Sequence, residues 1–179
     1  PQQDLAEDEI VAADELPPNA VECEEFLLGG LFMGGQMDVA LAEQLTADDF
    51  YLTQHGWIFQ AMFDLYNDGV DEFDPASVAA KLSERGQLDQ LDKFGRSAFL
   101  ALQWFILPER TPLYPAIRAN AKIIRNMAVR RRALAEASAF AVALYHDPTD
   151  PAILIERHTR AVDQLKPFDA NKEFVRGSD

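Results

Sequence analysis

The first 80 residues contain no lysine and no arginine, against eighteen Asp and Glu. All sixteen bases fall in residues 81–179, beside twelve acids, so net charge runs from −18 to +4 along the chain. Such a head repels nucleic acid on average. The acid reads either as a solvated surface or as an attraction toward a basic partner or neighbouring subunit. The one cysteine, Cys23, excludes an internal disulfide and fits a reducing cytoplasm, the expected location. No apolar run approaches the ~20 residues that span a membrane, and the acidic N-terminus is unlike a signal peptide. His55, His146 and His158 lie in separate segments with no H-E-x-x-H or E-x-x-H pair, which argues against a metal site. The glycine pairs Gly29-Gly30 and Gly34-Gly35 follow no predicted strand, and no G-x-x-x-x-G-K-[S/T] occurs, so they read as close helix packing and a turn. No nucleophile–base set and no carboxylate pair stands out for acid/base work. The expectation is a chain without catalytic residues or cofactor of its own.

What is present is helical punctuation throughout, with an apolar share of 48% that suits a folded core. Residues 1–16 are acidic and read as a disordered tail. After Pro17-Pro18, Asn19 and Glu22 have the N-x-x-E spacing of a capping box, and a helix with Ala20, Cys23, Leu27 and Leu31 on one face follows. Cys23 reads as a small core residue. Gln36–Leu45 reads as a short second helix, and Thr46-Ala47-Asp48-Asp49 as another helix start. The head is built around Gln54–Asn67, whose Ile58, Ala61, Met62 and Leu65 have helix spacing and whose Trp57, Phe59, Phe63 and Tyr66 leave almost no polar face. A helix so apolar must be surrounded by other elements. Thr53 is the expected cap and Gly69 the expected stop. Asp74-Pro75 opens the next helix, which ends before Gly86. A further apolar helix is expected over Phe94–Leu107. Pro108, Pro112 and Pro115 then break the chain, giving a helical head over 17–112.

Ala116–Tyr145 reads as one helix of roughly thirty residues, ~45 Å at 1.5 Å per residue. Ile117, Ile124, Met127, Leu134, Ala141 and Tyr145 recur along it at sums of three and four, and alanines thin its second half. After a turn at His146–Pro151, a last helix covers Ala152–Lys166. Together they form an antiparallel hairpin over 113–167, with 168–179 as the start of a linker or a chain end. One hairpin leaves apolar surface exposed, so a second copy is expected to cover it through Ile117, Ile124, Met127, Leu134 and Ala141. The fold class is all-α.

The residues LPPNAVECEEFLLGGLF, then DDFY, His55, Ile58-Phe59, Met62, Leu65 and Gly69 resemble the N-terminal domain of the DnaB-type bacterial replicative helicase. Asp74, Val78, Leu82, Gly86, Leu88, Gly95 and Phe99-Leu100 continue that order, and so do Thr111-Pro112, Ile117, Ile123-Ile124 and Arg130–Arg132. The resemblance covers residues 16–168. It departs at a longer Gly69–Asp74 spacing, at Phe94-Gly95 in place of a glycine pair, and at Trp104–Pro108, and so leaves the source open between chromosomal, phage and plasmid. What it implies is the collar of a hexameric ring, made of dimers of which three form the ring, in contact with the primase and possible loader of the helicase. It implies an ATP- and Mg-dependent helicase domain after a linker, outside this chain.

Arg110, Arg118, Lys122, Arg125, Arg130, Arg131 and Arg132 make a run of bases without acids. Lys122, Arg125, Arg130, Arg131 and Arg132 are the partner-docking candidates. The competing reading is a solvated face, or ion pairs with acidic heads. Stacking aromatics are not interleaved with them, so direct nucleic-acid binding is not expected. Two other roles remain open at this level. One is a free-standing adaptor or inhibitor that binds a resident helicase or primase. The other is a helical nucleic-acid-binding protein, against which the net charge argues.

Overall fold

The computed structural model describes residues 16–92 and 116–165. Among them every regular element is a helix and no strand occurs. In order these are α1 (Val21–Gly34), α2 (Met37–Ala42), a 3-10 turn (Ala47–Asp49), α3 (Thr53–Asn67), α4 (Pro75–Glu84), α5 (Leu88–Asp92), α6 (Ile117–His146) and α7 (Pro151–Leu165). The helix expected over Phe94–Leu107, the prolines before α6, Arg110 and both tails lie outside the described residues. The chain forms two compact units, 1–128 and 129–179, with the boundary inside α6.

The first unit is organised around α3, as its apolar sequence requires. Ile58, Phe59, Ala61 and Met62 are at most 2% exposed. They meet Leu27, Leu28 and Leu31 of α1 and Val78 and Leu82 of α4 in one cluster. The Phe50 and Phe59 rings lie 5.1 Å apart at 39°. Each of these large side chains contributes roughly 1.5–3 kcal/mol by leaving water. Trp57, Phe63, Leu65 and Tyr66 are only half-buried and pack on the cluster's edge, so α3 is less enclosed than its composition suggests.

Two sequence-expected caps are absent. α1 starts after Ala20, and the Asn19 side chain instead donates to the Pro17 carbonyl at 3.0 Å. α3 starts after Leu52 with no side-chain cap from its own segment. The amides ahead of α3 are satisfied from α1. The Glu24 carboxylate, 1% exposed, accepts from the Tyr51 N–H at 2.6 Å and the Leu52 N–H at 3.4 Å, and pairs with His55 Nδ1 at 2.8 Å. His55 is thus a structural residue, hydrogen-bonded in the core. The expected cap at Asp74 does form: its carboxylate accepts from the Ala76 and Ser77 amides at 2.9 and 3.1 Å and from the Ser77 hydroxyl. The second helix is shorter than expected, because Gln44 turns into the left-handed region at φ 57° and ends it. Ala47–Asp49 makes a 3-10 turn, capped by Thr46, rather than the start of a longer helix.

Gly56 shows why this turn and α3 sit so close. A Cβ there would fall 2.5 Å from the Ala47 carbonyl oxygen, a backbone atom that cannot swing away. Only glycine permits that approach.

The head also takes in the start of α6. Ile117, Ala121, Ile124 and Ala128 are at most 2% exposed. The boundary between compact units lies after Ala128.

Candidate interaction surfaces

The basic run divides once the head is assembled. Arg125 Nη1 lies 3.2 Å from Asp49 Oδ1, and that carboxylate is fully buried. Asp49 Oδ2 accepts from the Thr46 N–H at 2.8 Å and its hydroxyl at 2.9 Å. Arg118 Nε lies 3.4 Å from Glu43. So Arg125, a docking candidate, is engaged within the head, as the ion-pair reading holds. Lys122 is exposed and lines an open groove of about 500 Å³ with Gln36, Val39, Ile117 and Arg118. Arg130 is exposed, whereas Arg131 and Arg132 are half-buried and interact within the chain.

The self-association candidates divide as well. Ile117 and Ile124 belong to the head core, so they are corrected from interface to core residues. Met127 is half-buried. Leu134 is 55% exposed and Ala141 is exposed.

The second unit is the hairpin made by the rest of α6 and by α7. Its turn is fixed by two aspartates. Asp147 accepts from the Thr149 N–H at 3.0 Å and pairs with Arg157 at 3.3 Å; Asp150 accepts from the Ala152 N–H at 2.8 Å and so caps α7. The Thr149 contacts, then Arg157, hold the Asp147 carboxyl below its ordinary value. Between the helices Leu154 is buried, and the His158 ring lies flat on Phe140 at 4.2 Å and 5°.

Little else is covered. Leu134, Val142, Leu144, Tyr145, Ile153 and Ile155 are all between 49% and 85% exposed. Val142 and Leu144 escape a sequence reading because the alanines around them suggest only a thin helix. Their signal is the absence of compensating charge: Glu136 is the one acid of α6. Exposed apolar side chains of this kind, where they form one patch, mark interaction surfaces. Among the described residues no group of three His, Cys, Asp or Glu gathers as a metal site, and no helix is long and apolar enough to cross a membrane.

A helical head followed along the chain by an antiparallel helical hairpin defines a class: an all-α domain. Residues 16–126 match the family described as the DnaB-like helicase N terminal domain. The chain belongs to that family. It is 34% identical over 124 residues to the replicative DNA helicase DnaB of Haemophilus influenzae, covering 69% of this chain and 25% of that protein. It is 25% identical over 150 residues to the replicative DNA helicase DnaB of Geobacillus stearothermophilus, covering 84% of this chain and 31% of that protein. The chain thus spans a quarter to a third of the length of these curated relatives. The crystal structure of the N-terminal domain of DnaB helicase from Mycobacterium tuberculosis superposes with a TM-score of 0.71 at 25% identity, covering 83% of this chain and 99% of that one.

Proposed function

We propose that this chain is the collar domain of a hexameric replicative helicase. The hairpin joins copies into dimers, and three dimers make the ring. The collar also presents a surface to the primase, coupling unwinding to primer synthesis, and offers a further contact for a helicase loader. Catalysis, with its ATP and Mg, belongs to a separate ATPase domain of the parent protein. The observation that carries this reading is the exposed apolar flank of the hairpin on a chain of this family. Arg125 drops out of the docking set, since its partner is Asp49. Lys122 and Arg130 stay in it.

Calorimetric titration with the primase of the same cell tests the partner. Heat of binding is expected with the native chain, and its loss with Ile153→Glu or Val142→Glu at the hairpin tip. Binding unchanged in both variants would move the primase site elsewhere, and no binding to the native chain would remove the primase from the account.

A further inference from the structure

Five bases stand among the described residues of the first unit: Lys81, Arg85, Arg118, Lys122 and Arg125. Four of them lie 3.4 Å or less from a carboxylate, on Asp68, Asp64, Glu43 and Asp49 in turn. Lys122 is the exception: it is exposed, and no described carboxylate pairs with it. In so acidic a head, a cation left over attracts a carboxylate from elsewhere.

The groove beside it adds an apolar requirement. Its 500 Å³ or so are lined by Val39, Ala116, Ile117 and Ala119 together with the cations Arg118 and Lys122. The Arg118 side chain is 66% exposed and meets Glu43 through Nε at 3.4 Å, so its fork of donors is not used up. A complementary ligand has acids flanked by large apolar side chains and carries no base.

Asp4–Val11 is such a segment: Glu7, Asp8 and Glu9 lie between Leu5 and the pair Ile10-Val11. Residues 166–179 are not, since Lys166, Lys172 and Arg176 interrupt their acids. Both segments lie outside the described residues. Leu16 is the first described residue, and the twelve positions back to Asp4 span up to ~40 Å when extended. A unit of residues 1–128 has a radius of gyration of about 14 Å, so that length reaches across it.

We propose that the groove at Lys122 is covered by Asp4–Val11 of the same chain. Glu7, Asp8 and Glu9 meet the Lys122 ammonium and the Arg118 guanidinium, and Leu5 and Ile10 lie on the apolar lining. A partner that docks through Lys122 then has to displace this segment. The inference does not depend on that partner.

Zero-length carbodiimide cross-linking of the full chain tests it, on an equal mixture of unlabelled and 15N-labelled protein read by mass spectrometry. Lys81 and Asp68, 2.8 Å apart, are the internal control. The expected product joins Lys122 to Glu7, Asp8 or Glu9 within chains of one label. Acetylation of Lys122 should also run about fivefold faster in the E7Q/D8N/E9Q variant, where several exposed ion pairs are lost together, with Lys81 unchanged. A product that joins light to heavy chains would make another copy the occupant. A Lys81–Asp68 product without one at Lys122, or equal acetylation of Lys122 in both proteins, would leave the groove without this segment. Each of these results overturns the inference.

Discussion

Arg125 of α6 reaches 3.2 Å from Asp49 of the 3-10 turn, across 76 positions of sequence, and closes a carboxylate that has no access to water. The pair fastens the base of the long helix to the head. Its thermodynamic weight lies in what one partner leaves behind. With Arg125→Met the buried Asp49 loses its countercharge, and urea unfolding at neutral pH should show a loss of about 3 kcal/mol. Lys122→Met, on the exposed side, should stay within about 0.5 kcal/mol. Equal effects for the two would show that the pair does not hold the helix base.

Glu24 has a comparable role at the head of α3. Its carboxylate serves two backbone amides and His55. Glu24→Ala strands those donors in the core and should cost about 3 kcal/mol in the first transition of a thermal melt, at roughly 1–3 kcal/mol for each unsatisfied group. Glu22→Ala, exposed on the same helix, should change little. A mild Glu24→Ala would mean that water replaces the carboxylate without strain.

Two glycine-to-alanine substitutions should have opposite signs. Gly34 in α1 has nothing within 4 Å of a Cβ, so alanine gains helix propensity of up to about 1 kcal/mol. At Gly56 the Ala47 carbonyl blocks the same methyl, and overpacking should outweigh propensity with a net loss of about 2 kcal/mol. Chemical denaturation of both variants gives the comparison directly. A stabilising Gly56→Ala would contradict the close approach of the turn to α3.

The Asp74 cap should show itself in pH. The Ser77 hydroxyl first, then the Ser77 and Ala76 amides, hold its carboxyl below the ordinary value. A depressed folded-state pKa gives stability that is present above the unfolded value of about 3.9 and fades as pH falls through the folded one. Asp74→Ala should therefore cost about 1 kcal/mol at pH 7, and the gap to the native chain should narrow on acidification below pH 4. A gap independent of pH would assign the loss to something other than the charged cap.

The sequence made the helices legible because their signals are local. The apolar spacing of Ile58, Ala61, Met62 and Leu65 marks α3, whose start moves by one residue, from Gln54 to Thr53. Asp74-Pro75 marks α4, and the turn His146–Pro151 places α6 and α7 within a residue of expectation. Pairings across long separations were not legible. Thr53 looked like a cap but is the first residue of α3, and nothing nearby in sequence shows that Glu24 of α1 reaches the Tyr51 and Leu52 amides just ahead of it. Arg125 looked free for docking because its partner lies 76 residues away. Ile117 and Ile124 share the spacing of Leu134 and Ala141, yet the head claims the first pair and leaves the second exposed. Periodicity identifies an apolar stripe along a helix, but tertiary packing decides which part of it stays open.

The central claim is that the open part of this stripe joins copies of the chain. Light scattering at moderate salt on the native chain and on Leu134→Glu measures it directly. The account predicts a dimer or a ring-sized assembly for the native chain. For the variant it predicts a monomer with unchanged helicity and an unchanged melting transition of the head. A native chain that remains monomeric at high concentration, or a variant of undiminished mass, would contradict it.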